Sequence, residues 1–335
     1  MAEAQTPASV EEVKEALEKV AYLADEPAAL VSFLAQRLGK PILVEGPAGV
    51  GKTELAKALS RASGRELIRL QCYEGLDESK ALYEWNYRKQ LLRIQAGEEA
   101  GWESVHEDIF SEEFLLTRPL MSAISSPDPV VLLIDEVDKT DQEFEAMLLE
   151  LLSDFQLSIP ELGQISARTM PIVVLTSNNS RELTEALKRR CLYLWLDYPE
   201  LEREIEIVRL HTPELDETLA RRLVEVIGMV RELDLKKPPS IAESIDWART
   251  LLLMGADDIV ARKLVEIIAK VRDLDLKKPP SIAESIDWAR ALLLLGASDI
   301  DAKTFRETMS IIVKHRTDLD LVAERVGVKL GAVTS

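Results

Sequence analysis

The chain has 335 residues, of which 47% are hydrophobic and 30% are charged. This balance is typical of a globular protein and excludes wholesale disorder, and the length predicts about two domains. The net charge is −18. Because a surface this acidic repels phosphate backbones, we expect no nucleic acid among the partners.

No segment of the sequence predicts export or membrane insertion. The N-terminus is polar and acidic, unlike a signal peptide, and the longest apolar run is too short to cross a membrane. We therefore expect a cytoplasmic protein without a transmembrane segment. Two cysteines, Cys72 and Cys191, are too few for a disulfide scaffold, and three widely separated histidines disfavour a histidine-built metal site.

Short apolar runs alternate with helical stretches through residues 1–199. Residues 1–38 are predicted to be helical, with a capping box from Ser9 to Glu12. Five runs have the length, composition and bounding residues of buried strands: Pro41–Glu45, Leu67–Gln71, Val130–Ile134, Ile172–Ser177 and Leu192–Leu196. Their alternation with helices predicts an α/β core with a parallel sheet flanked by helices on both faces.

After Pro199 the strand-like runs stop, and residues 200–335 are predicted to form an all-helical domain. This region holds a tandem repeat, because residues 222–261 match residues 263–302 at 31 of 40 positions. A recent duplication or a constructed sequence explains such similarity better than ordinary divergence. A solenoid is the competing interpretation, although such arrays need about three copies. Each copy also contains a Ser-Ile-Ala-Glu capping box that opens a helix.

The strongest motif lies directly after the first predicted strand. Its eight residues fit the pattern G-x-x-x-x-G-K-[ST], and a predicted helix, Glu54–Ser63, follows them. Glycines allow backbone N–H groups to converge on phosphate oxygens at the start of a helix. Lys52 would reach the β- and γ-phosphates, and the Thr53 hydroxyl would bind Mg²⁺. The candidate nucleotide-binding residues are Gly46, Pro47, Ala48, Gly49, Val50, Gly51, Lys52, Thr53 and Glu54.

The predicted strand Val130–Ile134 ends in two carboxylates, Asp135 and Glu136. In phosphate-transferring enzymes with such a loop, a strand of this kind holds Mg²⁺. We predict that Asp135 binds the metal, through water, and that Glu136 polarises the attacking water. Gln71, at the end of another predicted strand, is a weaker candidate for a link between substrate binding and Glu136.

Two shorter motifs complete the candidate catalytic site. Asn178 follows a predicted strand, and its amide could orient the nucleophilic water, although asparagine also ends many strands as a turn former. Arg189 and Arg190 precede the last predicted strand. An arginine there could stabilise charge on the γ-phosphate of a neighbouring subunit, and we favour Arg190 because it lies nearer the strand. The alternative is a solvated basic helix end.

In this order, the phosphate-binding loop, the Asp-Glu strand, the Thr-Ser-Asn strand and the Arg-Arg-Cys segment resemble an AAA+ ATPase. Phe144–Leu152 and the residues after it, to about residue 170, resemble the helix with a β-hairpin insert found in the MoxR family. Four segments are similar to CoxD-type members of that family, which are linked to carbon monoxide dehydrogenase maturation: Leu70-Gln-Cys-Tyr-Glu-Gly, Leu82-Tyr-Glu-Trp-Asn-Tyr, Arg190-Cys-Leu-Tyr and Leu196-Asp-Tyr-Pro.

The resemblance implies a P-loop NTPase core followed by a helical lid, here enlarged by the tandem repeat. It implies ATP and Mg²⁺ as ligands, ATP hydrolysis, and a homo-oligomeric ring, usually a hexamer with ATP at the subunit interfaces. It also implies chaperone or remodelling activity toward a metalloenzyme client, with a partner that bears a von Willebrand factor A domain.

Two features depart from the family pattern. AAA+ lids usually place an arginine at the start of a lid helix, and Pro239–Glu243 contains none, although Lys236, Lys237 or Arg249 could substitute. The duplication means that only one copy can occupy the usual lid position.

Two alternative functions therefore stand beside a remodelling ATPase. One is a constructed or rearranged AAA+ scaffold that binds nucleotide without a client, and the other is a nucleic-acid-associated motor, which the charge disfavours.

Overall fold

The computed structural model describes residues 7–96, 111–159, 163–231, 239–253, 259–272, 274, 276–277, 280–297 and 299–327. Contacts divide the chain into two compact units between Asp197 and Tyr198, and Ala48–Gly51 are grouped with the second unit. Lys236 and Lys237, named above as substitutes for the missing arginine, lie outside the described residues.

The first unit is built on a parallel sheet. The strands are β1 (Ile42–Glu45), β2 (Glu66–Gln71), β3 (Tyr83–Trp85), β4 (Leu115–Thr117), β5 (Val130–Asp135), β6 (Gln156–Ile159), β7 (Gly163–Ser166), β8 (Ile172–Ser177) and β9 (Leu192–Trp195). Five of them form the parallel sheet, in the order β2-β5-β8-β1-β9. Two antiparallel pairs, β3 with β4 and β6 with β7, lie outside it.

The predicted α/β fold is confirmed, and the bounds of the five predicted strands are correct to within one residue. The three central strands, β5, β8 and β1, are buried along their whole length. Because both faces of such strands are covered, their sequences are apolar runs that become polar only at their carboxyl ends, which is why the pattern located them. The helices of this unit are α1 (Val10–Lys19), α2 (Glu26–Leu38), α3 (Lys52–Ser63), α4 (Glu78–Ala81), α5 (Tyr87–Ala96), α6 (Pro119–Ser125), α7 (Gln142–Asp154) and α8 (Glu185–Arg190).

The predicted helical segment, residues 1–38, is interrupted between α1 and α2, where Ala21 has a left-handed φ of +61°. The capping box predicted at Ser9 is half formed. Glu12 N–H donates to Ser9 Oγ at 3.2 Å, whereas the Glu12 carboxylate accepts from the N–H of Ala8 at 2.7 Å. A complete capping box would use the N–H of Ser9 instead, and the N–H groups of Ala8 and Ser9 both precede the helix, so the glutamate can accept from either of them.

The second unit is helical throughout its described residues after Tyr198, apart from connecting turns. Its helices are α9 (Leu201–His211), α10 (Glu217–Arg231), α11 (Ile241–Leu253), α12 (Ile259–Arg272), α13 (Ile282–Leu294), α14 (Ala302–Thr308) and α15 (Arg316–Val322). Their apolar faces form one buried cluster that includes Trp247, Leu264, Trp288 and Phe305. In the described part of the chain, no helix is long and apolar enough to cross a membrane.

The repeated sequence gives corresponding helices with different surroundings. Both ends of α13 are offset from those of α11 by the repeat length of 41 residues. Trp247 and Trp288 stand at equivalent positions, and both are 0% exposed. The Trp288 indole N–H donates to Thr308 Oγ1 at 2.8 Å, whereas the Trp247 indole N–H has no hydrogen-bond partner among the residues that the structure describes. Thr308 lies outside the repeat, so the repeated sequence itself does not supply this partner.

We expect Trp288→Phe to destabilise the protein more than Trp247→Phe does, by about 1–2 kcal/mol. Both substitutions remove a similar apolar volume, but only Trp288→Phe breaks a buried hydrogen bond. Trp247→Phe instead removes a buried N–H that has no partner in the described ranges, which offsets part of its packing loss. Urea unfolding of the two variants side by side measures the difference. Equal losses of unfolding free energy would contradict the expectation.

Candidate functional site

The glycine-rich loop lies between β1 and α3, at the carboxyl edge of the sheet. Gly46 has a φ of +151°, and a Cβ there would lie 1.9 Å from the carbonyl oxygen of Leu196. Gly51 has a φ of +97°, which side chains rarely allow, although the space around it is open. Both positions therefore require glycine. The loop leads into the N-terminus of α3, where backbone N–H groups favour anions.

Lys52 is the first residue of α3 and is only 6% exposed. Its ammonium donates to the carbonyl oxygens of Gly46, at 2.7 Å, and Pro47, at 2.6 Å. Burial lowers the pKa of Lys52, while nearby carboxylates, Asp138 first among them, oppose that decrease. The ammonium is thus held against the loop that precedes it, beside the acidic groups that follow β5.

Asp135, at the end of β5, is 2% exposed, and both of its carboxylate oxygens accept hydrogen bonds. Its Oδ1 accepts from the hydroxyls of Thr53, at 2.9 Å, and Thr176, at 2.5 Å. Its Oδ2 accepts from Arg69, from Nε at 3.2 Å and from Nη2 at 2.5 Å. The two predicted metal-binding residues, Thr53 and Asp135, are therefore in direct contact.

Glu136 follows in the left-handed conformation, with a φ of +58°. Its backbone N–H donates to Thr176 Oγ1 at 2.9 Å, which ties it to the end of β8. Its carboxylate accepts from Gln71 Nε2 at 3.1 Å and pairs with the ammonium of Lys139. The contact between Gln71 and Glu136 that the sequence suggested is present, and its link to substrate binding stays a prediction.

Asn178 is half-buried directly after β8, and β8 pairs with β5 in parallel. It therefore lies at the same edge of the sheet as Glu136. The adjoining turn is anchored by Asp138, which accepts from Ser180 N–H at 3.0 Å and from the Ser180 hydroxyl at 2.6 Å. Burial would raise the pKa of Asp138, but these bonds and a backbone bond from Asn178 outweigh it and lower that pKa.

Arg189 and Arg190 are exposed at the end of α8. They precede β9, whose first residue, Leu192, pairs with Ile42, the first residue of β1. The glycine-rich loop follows the other end of β1. The two arginines thus lie at the amino edge of the sheet, opposite Lys52, and the structure does not bring them to the cluster in the same subunit.

The donor set at the end of β5 fits Mg²⁺. The cation prefers oxygen ligands, and proteins usually supply one or two of them while phosphates and water supply the rest. The Thr53 hydroxyl and the Asp135 carboxylate provide such oxygens at the start of α3 and the end of β5. The residues present therefore suit a magnesium–nucleotide complex.

The sequence argument missed two residues that the structure places at the centre of the cluster. Thr176 forms hydrogen bonds with the Asp135 carboxylate and with the backbone N–H of Glu136. Arg69, on the neighbouring strand β2, forms an ion pair with Asp135. Thr176 stood inside a recognised motif without an assigned role. Arg69 had one available signal, since it lies two residues before Gln71 and therefore on the same face of β2.

The core of this site matches a known family. Residues 42–194 match the sequence model of the AAA family, described as an ATPase family associated with various cellular activities. The match covers less than half of the chain, and it includes all the candidate nucleotide-binding, metal-binding and catalytic residues of the first unit: Gly46, Pro47, Ala48, Gly49, Val50, Gly51, Lys52, Thr53, Glu54, Asp135, Glu136, Asn178, Arg189 and Arg190.

Individual proteins are similar at lower identity. A gas vesicle ATPase of Halobacterium salinarum is 24% identical over 208 residues, which cover 58% of this chain and 57% of that protein. The chain thus matches little more than half the length of that relative. The protein NorQ of Paracoccus denitrificans is 26% identical over 216 residues, covering 62% of this chain and 70% of NorQ. A RuvB mutant of Thermotoga maritima has a solved structure with a TM-score of 0.46 at 16% identity, over 95% of this chain and 92% of that one.

Proposed function

We propose that this protein is an ATP-hydrolysing AAA+ ATPase of the MoxR type that remodels a client protein. One observation carries the ATPase part of this proposal. Thr53 on the phosphate-binding loop, Asp135 and Glu136 on β5, and Thr176 on β8 form a continuous hydrogen-bonded cluster. This cluster lies at the carboxyl edge of a parallel sheet, where α/β proteins bind their ligands.

In the proposed mechanism, the loop N–H groups and Lys52 bind the phosphates. Thr53 and Asp135 would hold Mg²⁺, which supplies charge neutralisation at the transferring phosphoryl group when bound. Glu136 accepts a proton from the attacking water, and its tether to Thr176 fixes its backbone at the required edge. Asn178 orients the same water from the neighbouring strand end.

Arg190 completes the site from a neighbouring subunit. Its exposure and its location at the amino edge support action on the nucleotide of another subunit. A homo-oligomeric ring, with a hexamer as the usual form, supplies that arrangement. We assign ATP and Mg²⁺ as the ligands. Residues 1–199 would form the nucleotide-binding core, with a hairpin insert at about residues 144–170. Residues 200–335 would form a lid with a duplicated segment.

The finer functional assignment rests on the resemblance to MoxR-type and CoxD-type members. It gives a cytoplasmic chaperone for metalloenzyme maturation, in particular of carbon monoxide dehydrogenase, that works with a von Willebrand factor A domain partner. Similarity to NorQ and to a gas vesicle ATPase supports the AAA+ part of this proposal. The scaffold alternative draws its support from the near-identical repeat, whose two copies differ at only nine of 40 positions.

We expect the Mg²⁺-dependent ATPase rate per subunit to rise with protein concentration as the ring assembles. The reason is that Arg190 reaches the nucleotide only across an interface. Phosphate release measured against concentration, together with mass determination in the presence and absence of ATP, tests this expectation. Nucleotide binding without turnover or assembly would favour the scaffold alternative. A gain of activity on adding DNA, lost at high salt, would favour the nucleic-acid motor.

A further inference from the structure

Arg69 is a site residue that the proposed mechanism does not use. It lies on β2, an edge strand of the sheet that pairs with β5. Its guanidinium donates two hydrogen bonds to Asp135 Oδ2. The same guanidinium donates to Gln71 Oε1, and Gln71 in turn donates to Glu136. Arg69 is therefore anchored between the metal-binding carboxylate and an amide that contacts Glu136.

The pairing satisfies a buried charge. A carboxylate as buried as that of Asp135 requires hydrogen bonds and an opposite charge. Thr53 and Thr176 occupy Oδ1, and Arg69 supplies the positive charge at Oδ2. The Arg69 side chain is 48% exposed, so its guanidinium can move away from Asp135 into water, where it remains solvated.

A divalent cation at this position needs the same carboxylate. Two cations beside one carboxylate repel each other, and the carboxylate has few oxygen lone pairs left once two hydroxyls and a guanidinium are bonded to it. The guanidinium and the divalent cation therefore compete for the Asp135 carboxylate.

We propose that Arg69 is a positioning residue that neutralises Asp135 and competes with Mg²⁺ for its carboxylate, with Gln71 as the anchor that keeps the guanidinium in place. The metal–nucleotide complex would then bind only when the Arg69 guanidinium moves away from Asp135. This inference rests on the proposed function, because it requires Mg²⁺ to bind at Asp135.

The test is a Mg²⁺ titration of the full-length protein at a fixed, saturating concentration of a fluorescent ADP analogue. The Arg69→Met variant is expected to reach half-saturation at about one tenth of the wild-type Mg²⁺ concentration, because the competing cation is absent. Its melting temperature in EDTA should fall, because Asp135 then lacks a positive partner. Gln71→Leu should lower the Mg²⁺ midpoint in the same direction by a smaller factor.

Arg118→Met provides the matched control. Arg118 also pairs with a carboxylate, that of Glu84 at 2.6 Å, with 39% of its side chain exposed, and it lies outside the cluster. It should leave the Mg²⁺ midpoint unchanged. If the wild-type protein binds no nucleotide at any Mg²⁺ concentration, the proposed function fails.

If the wild-type protein binds nucleotide but Arg69→Met leaves the midpoint unchanged or raises it, the competition is overturned and the proposed function stands. Arg69→Lys provides a second test if the Arg69→Met variant does not fold. It keeps the charge but loses the two-pronged contact, so its midpoint should fall between those of the wild type and Arg69→Met. A lysine midpoint equal to that of the wild type in a folded protein, with Gln71→Leu also unchanged, would contradict the proposal.

Discussion

Glu136→Gln is expected to bind ATP and to lose about 100-fold or more of its turnover, because the amide cannot accept a proton from the attacking water. Glutamine has nearly the same shape as glutamate, and its carbonyl oxygen can still accept the hydrogen bond from Gln71. The tether from the Glu136 backbone to Thr176 does not involve the side chain. The geometry of the loop and of Asp135 should therefore survive the substitution.

The two effects need separate measurements. The rise in melting temperature with Mg²⁺–ATP reports binding, and phosphate release reports turnover. Glu143→Gln is the matched control, since it removes the same charge from the exposed first turn of α7. It should retain wild-type turnover. Undiminished turnover in Glu136→Gln would contradict the assignment of Glu136, and loss of ATP binding would show that the side chain supports the nucleotide pocket instead.

The sheet could be predicted because its central strands are buried on both faces. Val130–Asp135 and Ile172–Ser177 are apolar until their last one or two residues, and short apolar runs bounded by polar or turn-forming residues are typical of buried strands. The interruption between α1 and α2 was missed although the sequence carried a signal for it. Asp25 caps α2 by accepting from Ala28 N–H at 2.8 Å, and Pro27 lies in the first turn of α2, where proline begins a helix instead of continuing one.

In the site, the sequence predicted the residues of compact motifs and suggested the contact between Gln71 and Glu136, but it missed Arg69 and the role of Thr176, which both act across strands. Lys52, Asp135 and Glu136 each sit in a motif whose spacing is fixed by one loop or one strand end. Arg69 contacts Asp135 only because β2 and β5 are paired in a register that places Gln71 opposite Asp135. Strand order and register are tertiary properties, so the local pattern of β2 does not contain this contact.

The tandem repeat shows a second limit of sequence reasoning. Trp247 and Trp288 lie in an identical stretch of 17 residues, yet within the described part of the chain the indole N–H of Trp288 has a hydrogen-bond partner and that of Trp247 has none. The difference arises from Thr308, which follows the second copy and has no counterpart beside the first. Identical sequences therefore give the same helix and the same buried face, while the polar contacts depend on what each copy adjoins.

Arg190→Ala is expected to lower turnover per subunit by about 1000-fold while ATP binding is retained, because an arginine supplied to a transferring phosphoryl group contributes 10³–10⁵ in rate. The side chain is exposed at the end of a short helix, so its removal should cost little stability. Lys188→Ala removes a charge from the same helix end and serves as the control for electrostatics. Arg189→Ala tests the neighbouring candidate, and a larger loss there would transfer the assignment to Arg189.

Mixing two inactive variants decides whether Arg190 acts across an interface. An Arg190→Ala subunit keeps Glu136, and a Glu136→Gln subunit keeps Arg190. In mixed rings, about one quarter of the interfaces would combine an intact Glu136 with an intact Arg190 from the neighbour, if subunits assort at random. The mixture should therefore recover a measurable fraction of wild-type turnover, although each variant alone is inactive. No recovery in rings shown by mass to be mixed would mean that Arg190 does not act in trans, and the location of Arg190 opposite Lys52 would then leave it without a catalytic role.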